Sequence, residues 1–157
     1  MIKGLRVDHR LLHGQVAVAW FSSVGANTIL ISNDEVANND SRKNIMRLAK
    51  PLNAKLVMND IDKSINAINK GLTDKYDMFI VVENIADASR LINETDKFTS
   101  LNLGGTKPTK ETINISKTIN ITKEEKILLD QLVEKGVEVE IRQVPSDTKI
   151  MYKKLKI

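Results

Sequence analysis

Two histidines lie four residues apart near the start of the chain, within the segment RVDHRLLHGQVAVAW (Arg6–Trp20). They are the only histidines in the sequence, and an aspartate, two arginines and a glycine surround them. A histidine can act as a nucleophile, a proton carrier or a metal ligand, whereas arginines favour anions. The segment therefore suggests a phosphate-accepting histidine, a metal site, or a polar turn between two elements.

The phosphate interpretation places His13 immediately before a helix that begins with Gly14 and Gln15. The first turn of a helix offers unpaired backbone N–H groups and the positive end of the helix dipole, which together bind phosphate. Gly14 lets an anion approach the backbone closely, Arg10 offers a bidentate guanidinium to it, and Arg6 adds charge nearby. These parts suit a histidine that becomes phosphorylated.

Asp8, or a backbone carbonyl, is expected to pair with one imidazole nitrogen of His13 and leave the other free as a nucleophile. Three alternatives stay open: His13 as a plain helix cap or polar-turn residue, His9 and His13 as a zinc pair, and His9 as the reactive group. The spacing of a zinc pair requires both histidines on one helix, whereas these lie in a strand-to-helix loop. The nearby arginines would repel a cation, and the helix start favours His13 over His9.

Length and composition restrict the remaining classes of function. The chain has 157 residues, 41% of them hydrophobic and 28% charged, which predicts one globular domain spanning residues 1–157. The net charge of +4 is spread among interspersed charges, so no nucleic-acid partner is expected. Cysteine is absent, and no signal peptide, membrane span or nucleotide-binding glycine motif is recognisable, so a cytoplasmic protein is expected.

Short apolar runs alternate with segments of helical periodicity along the chain. The predicted strands are Ile2–Val7, Thr28–Ser32, Ala54–Met58, Asp77–Val82, Thr99–Gly105 and Val137–Val144. The predicted helices are Gly14–Val24, Asp40–Lys50, Asp60–Gly71, Ile85–Thr95 and Thr122–Gly136. Asp40 is expected to cap the second of these helices, and Thr122 and Glu125 are expected to form a capping box at the start of the last one. This alternation predicts an α/β fold with an open, mostly parallel twisted sheet of about six or seven strands, helices on both faces and one antiparallel edge strand.

Four further segments have simpler interpretations. The repeat TINISKTINITK (Thr112–Lys123) predicts an extended hairpin or edge strand, and Ser146–Ile157 predicts a short final helix. Asn33–Ala37 is expected to be a solvated loop rather than a magnesium site, and Trp20 is expected in the core. Ligands of such sheets bind at the carboxyl ends of strands, in the loops Asp8–Gln15, Asn33–Asn39, Glu83–Asn84 and Gly104–Pro108.

The segment Arg6–Trp20 resembles the start of the enzyme IIB component of the mannose–fructose–sorbose class of the bacterial sugar phosphotransferase system. Further matches to that family are Asn33–Pro51, Leu101–Gly105 and Lys135–Asp147, in the family's order and spacing. The resemblance therefore covers essentially the whole chain. His9 occupies a position where family members carry either aspartate or histidine.

The resemblance implies that His13 is the phosphorylated residue, with the phosphoryl group on Nδ1. Arg10 matches the family arginine that contacts the phosphoryl group, and Asp8 matches a family aspartate in the same turn. Gly14 and Gln15 match the motif, and their amides would complete the phosphate site.

The resemblance also implies the partners. Enzyme IIA would donate the phosphoryl group, and a hexose or amino sugar would receive it during uptake through the membrane components IIC and IID. No metal or organic cofactor is required, and the chain would lie at the inner face of the membrane, as a homodimer or an assembly linked to IIA. A non-enzymatic module that binds a phosphorylated ligand at the same loop, and a zinc-dependent hydrolase, are the alternatives from other classes.

Overall fold

Strands and helices alternate along the chain, as the sequence pattern predicts. The structure is a computed structural model that describes residues 1–157. The strands are β1 (Ile2–Asp8), β2 (Thr28–Ser32), β3 (Lys55–Asn59), β4 (Met78–Val82), β5 (Ser100–Gly105), β6 (Ile113–Ser116), β7 (Ile119–Ile121), β8 (Glu138–Ile141) and β9 (Ile150–Met151). The helices are α1 (Gly14–Ser23), α2 (Asp34–Ala37), α3 (Asp40–Ala49), α4 (Ile61–Asn69), α5 (Ile85–Asn93), α6 (Lys123–Glu134) and a final 3-10 turn (Tyr152–Lys154).

Seven strands form one sheet in the order β3-β2-β4-β1-β5-β8-β9. All neighbouring pairs are parallel except β8 and β9, which are antiparallel at one edge. The prediction of a mostly parallel sheet with one antiparallel edge strand is confirmed. Strand β1 lies at the centre, between β4 and β5, so its carboxyl end opens into the crevice where such sheets bind ligands.

Alternate residues of the inner strands face two hydrophobic clusters, one on each side of the sheet. The first cluster contains Leu5, Leu30 and Ile80 together with the buried apolar residues of α4, α5 and α6. The second contains Ile29 and Phe79 with the buried apolar residues of α1, α2 and α3. Helices therefore cover both faces, as predicted, and none of them is long and apolar enough to cross a membrane.

Most helix boundaries follow from local capping chemistry. At α6, the Thr122 side chain accepts a hydrogen bond from the Glu125 amide and the Glu125 carboxylate accepts one from the Thr122 amide, which forms the predicted capping box. The capping residue of α3 is Asn39, whose side chain accepts from the Arg42 amide, and Asp40 is the first helical residue. The prediction that Asp40 caps this helix is wrong by one position.

Two segments late in the chain form short antiparallel strands. The repeat forms an antiparallel hairpin of β6 and β7, a separate two-stranded sheet, as one of its two interpretations predicts. The predicted final helix is wrong: Ile150 pairs with Ile141 in the edge strand, and a 3-10 turn follows. Tyr152 explains the difference, because it is buried and its hydroxyl donates to Asp130 of α6, which ties the segment to the core.

Candidate functional site

A tight, apolar-anchored turn connects β1 to α1. Leu11 and Leu12 are buried in the cluster beneath α1, and the Leu11 amide donates to the carbonyl oxygen of Asp8 over 2.8 Å. Leu11 has φ +57°, which lies in the left-handed region. This backbone conformation is energetically unfavourable for a residue that carries a side chain. Burial of the two leucines holds this conformation and so fixes the polar residues on either side of it.

His13 is the residue that precedes α1, with an extended backbone and no hydrogen bond from its side chain to the helix. His13 therefore occupies the capping position of α1, but its side chain does not cap the helix. Its Nε2 lies 3.0 Å from Oδ2 of Asp8, and about a fifth of the side chain (22%) is exposed. The imidazole is thus held on one side and open on the other.

Asp8 ends β1 and is nearly completely buried. Burial opposes its ionisation, but hydrogen bonds from His13 and from the Arg10 amide, together with the charge of Arg6, outweigh burial and lower the pKa of Asp8. An ionised carboxylate only accepts hydrogen bonds, so Nε2 of neutral His13 must carry the proton that it donates to Asp8. The remaining nitrogen, Nδ1, then keeps its lone pair.

Arg6 lies two residues before Asp8 and therefore on the same face of β1. Its Nη2 donates to Oδ2 of Asp8 over 3.1 Å, while Nη1 donates to Oδ1 of Asn102 over 2.7 Å and to the carbonyl oxygen of Arg142 over 3.1 Å. Only 3% of Arg6 is exposed, and desolvation by burial lowers its pKa in spite of the attraction of Asp8. The guanidinium is thus committed to partners inside the protein.

The start of α1 is open to an anion. Gly14 and Gln15 are exposed, and no acidic residue lies in the first turn of the helix. The first intrahelical acceptor is the carbonyl of His13, which receives the Ala17 amide, so the preceding amides have no helical partner. Gly14 has φ +46° with free space around it, which indicates that glycine is needed here for its backbone conformation.

The remaining predicted residues lie around this centre at different depths. The Arg10 amide donates to Oδ1 of Asp8 over 3.0 Å, and its side chain is exposed. His9 is also exposed, and its Nδ1 lies 3.9 Å from Oδ1 of Asp8. The two histidines thus flank one carboxylate and do not lie on one helix, whereas the zinc-pair alternative requires that they do. The chemical roles of these residues stay predictions.

The sequence predicted no individual role for four residues that surround Arg6 and Trp20, although they lie in segments that match the family: Asn102, Gly104, Arg142 and Gln143. They come from β5 and from the end of β8, which are far from the histidine motif in sequence but lie beside β1 in the sheet. The one local signal was the arginine between Leu5 and Val7, because a charged residue inside a buried strand requires partners.

The second carboxyl-end loop has a structural use. The Asn33 side chain caps α2, and Oδ1 of Asp34 accepts the Ile61 amide at the start of α4. Arg42 forms an ion pair with Glu35. These pairings join α2 to its neighbours. The segment expected to be a solvated loop is therefore a short helix tied into the fold, with Val36 buried.

The fold and the site define an open α/β protein whose candidate site residues gather at the carboxyl end of its central strand. The family model described as PTS system sorbose subfamily IIB component matches residues 2–156. The chain therefore belongs to this family of sugar phosphotransferase system IIB components, and the resemblance found in the sequence is confirmed.

Two curated relatives illustrate the similarity. The fructose-specific EIIB component of Bacillus subtilis (strain 168) is 28% identical over 142 residues, which cover 90% of this chain and 87% of the relative. The mannose-specific EIIAB component of Escherichia coli (strain K12) is 28% identical over 151 residues, or 96% of this chain. The match covers 47% of that relative, so this chain spans about half its length.

Solved structures of IIB components share this fold. The IIB domain of the sorbose permease from Klebsiella pneumoniae has a TM-score of 0.90 and 25% identity, covering 96% of this chain and 92% of that one. The N-acetylgalactosamine-specific IIB component 1 from Escherichia coli has a TM-score of 0.88 and 29% identity, covering 95% and 97% respectively. The α/β fold predicted from the sequence is thus the fold of solved IIB components.

Proposed function

We propose that this chain carries a phosphoryl group on Nδ1 of His13, from the phosphohistidine of an enzyme IIA to a sugar. The sugar, a hexose or amino sugar, would be phosphorylated during uptake through the membrane components IIC and IID, with this chain at the cytoplasmic face. The observation that carries the proposal is the hydrogen bond between Nε2 of His13 and the ionised Asp8. It leaves Nδ1 as the nucleophilic nitrogen, beside the open start of α1.

In the first step, the lone pair of Nδ1 attacks the phosphorus of the donor phosphohistidine in line with the donor P–N bond. That bond breaks, and its electron pair returns to the donor imidazole. The new P–N bond gives the His13 ring a positive charge, which the adjacent Asp8 carboxylate stabilises. Phosphoryl transfer depends mainly on alignment and charge stabilisation. The exposed guanidinium of Arg10 and the free amides at Gly14 and Gln15 supply positive charge to the equatorial oxygens.

In the second step, a hydroxyl oxygen of the sugar attacks the phosphorus and the bond to Nδ1 breaks. The electron pair returns to Nδ1, and His13 becomes a neutral imidazole that still donates from Nε2 to Asp8. The hydroxyl proton passes to a base, which we place on the membrane partner. The histidine itself is the carrier, so neither step requires a metal or an organic cofactor.

Replacing His13 with alanine should abolish the acid-labile gain in mass of one phosphoryl group when the chain is incubated with phosphorylated IIA. The matched control is His9→Ala, which removes the other histidine and should leave most of the phosphorylation. Intact-protein mass spectrometry measures both. Phosphorylation of the His13 variant would contradict the assignment, whereas reversible anion binding by the wild-type chain without a mass gain would favour a non-enzymatic binding module.

A further inference from the structure

A buried arginine lies beneath the proposed phosphoryl site. Arg6 occupies the central strand, and its side chain is almost fully enclosed. Its three hydrogen bonds join three strands: Asp8 on β1, Asn102 on β5 and the carbonyl of Arg142 at the end of β8. Burying a guanidinium costs free energy unless it is paired with an opposite charge and hydrogen-bonded. The two terminal nitrogens of Arg6 meet both conditions.

The residues around Arg6 enclose its guanidinium closely. Gly104 lies directly against the guanidinium, so that a Cβ at this position would overlap with Cζ and both terminal nitrogens of Arg6. Cζ of Arg6 lies 5.2 Å from the ring centroid of Trp20, and Cζ of Arg142 lies 5.1 Å from the same centroid. The Trp20 indole in turn donates to the carbonyl of Gln143 over 2.9 Å. The pocket thus fixes the guanidinium in one position.

The fixed guanidinium meets the same oxygen that holds the histidine. Oδ2 of Asp8 receives Nη2 of Arg6 over 3.1 Å and lies 3.0 Å from Nε2 of His13. The other oxygen, Oδ1, receives the Arg10 amide. Partners on both oxygens therefore fix the orientation of the Asp8 carboxylate, and Arg6 also supplies a nearby positive charge. The orientation of the carboxylate in turn sets the direction in which the His13 ring points.

We propose that Arg6 is a positioning residue of the transfer site, which acts through Asp8 to hold the Nε2–H of His13 and so to aim Nδ1 at the start of α1. This inference rests on the proposed function for its chemistry. It assigns to Arg6 a role other than contact with the phosphoryl group, because the guanidinium is almost fully enclosed and is occupied by its partners on β1, on β5 and after β8. Arg10, whose side chain is exposed, remains the arginine for the phosphoryl oxygens.

The test compares Arg6→Gln and Arg6→Lys with the wild-type full chain. Nuclear magnetic resonance of nitrogen-15-labelled protein detects the Nε2–H proton of His13, whose exchange with water is slowed by its hydrogen bond; His9→Gln assigns the two histidines. Single-turnover kinetics with phosphorylated IIA give the maximal transfer rate and the donor concentration for half-maximal rate. The matched control is Ser64→Ala, which removes a buried hydrogen bond to Ser32 on β2, a strand separated from β1 by β4.

For Arg6→Gln we expect loss of the Nε2–H signal and a maximal rate lower by about tenfold or more, the scale seen when an outer partner of a functional histidine is removed. The half-maximal donor concentration should change less than about twofold. Arg6→Lys keeps the charge but not the fork, so its signal and rate should lie between those of wild type and Gln. Ser64→Ala should leave both readouts unchanged even where it lowers stability.

A slower Arg6 variant with an intact Nε2–H signal would overturn the inference, and so would an unchanged rate. If Arg6→Gln does not fold, Arg6→Lys decides: wild-type signal and rate in that variant would also overturn it. Failure of the proposed function looks different, because wild-type protein would then gain no phosphoryl group on His13. The Nε2–H signal in the Arg6 variants would still show whether Arg6 positions Asp8.

Discussion

Replacing Gly104 with alanine should displace Arg6 and destabilise the protein. The added Cβ would overlap with Cζ and both terminal nitrogens of the Arg6 guanidinium, whereas nonbonded carbon atoms normally lie about 3.5–4.0 Å apart. The guanidinium cannot retreat, because Trp20 packs over it and three hydrogen bonds hold it. Either those bonds break or strand β5 moves away from β1.

The magnitude follows from the bonds that are lost. Separating a buried arginine from its carboxylate and amide partners leaves an uncompensated charge, which costs about 3–5 kcal/mol. Three hydrogen bonds to a charged group, each contributing roughly 1.5 kcal/mol net, give a similar sum. With a urea m-value of about 2 kcal/mol/M, the midpoint of unfolding should fall by roughly 1.5–2.5 M.

Urea unfolding measured by fluorescence suits this prediction, because Trp20 is the only tryptophan and lies against Arg6. The next residue provides the control. A Cβ at Gly105 would meet its nearest atom, Nδ1 of His9, at an ordinary 3.6 Å, so Gly105→Ala should change stability by less than about 1 kcal/mol. Equal midpoints for the two variants would refute the role assigned to Gly104.

Three further predictions concern charge and capping. Arg10→Ala should slow phosphoryl acceptance by roughly 100-fold or more while Arg47→Ala, another exposed arginine, leaves it unchanged; equal single-turnover rates would remove Arg10 from the site. Asp8→Asn should lower the free energy of unfolding most above about pH 5. The difference from wild type should shrink as pH falls, because the pKa of folded Asp8 lies below its usual value. A constant difference in urea titrations between about pH 3 and 7 would contradict this prediction. Thr122→Ala should cost about 1 kcal/mol by removing half of the α6 capping box, and Thr122→Ser should restore most of it, as thermal unfolding would show.

The sequence predicted most of the fold because local rules determine most of its elements. Buried strands such as Thr28–Ser32 show continuous apolar runs, and helices such as α6 show both a cap and an apolar stripe. The end of the chain could not be predicted in this way. Residues Ile150–Met151 and Tyr152 form an edge strand and a turn because of contacts with Ile141 and Asp130, which lie up to 22 residues away.

Within the candidate site, the sequence predicted the residues that lie next to one another in the turn. The position of His13 before α1 and its pairing with Asp8 both follow from a spacing of five residues. The partners of Arg6 do not, because Asn102 and Arg142 are 96 and 136 residues away in sequence and become neighbours only through the strand order of the sheet. The periodicity of one sequence shows on which face of a strand a residue lies. It does not show which other strand will be its neighbour in the sheet.

The two arginines of the motif, Arg6 and Arg10, lie in different surroundings, because Arg6 is buried and Arg10 is exposed. Arg6 and Asp8 are both buried and in contact, so their opposite charges largely cancel within the protein. An incoming phosphoryl group, which carries negative charge, would then interact mainly with the exposed Arg10 and with the start of α1. In the proposed transfer, a buried ion pair would fix the histidine, whereas an exposed cation would stabilise the transferred group. One motif can supply both because Arg6 and Asp8 lie on the face of β1 that α1 covers, whereas Arg10 in the following turn is exposed.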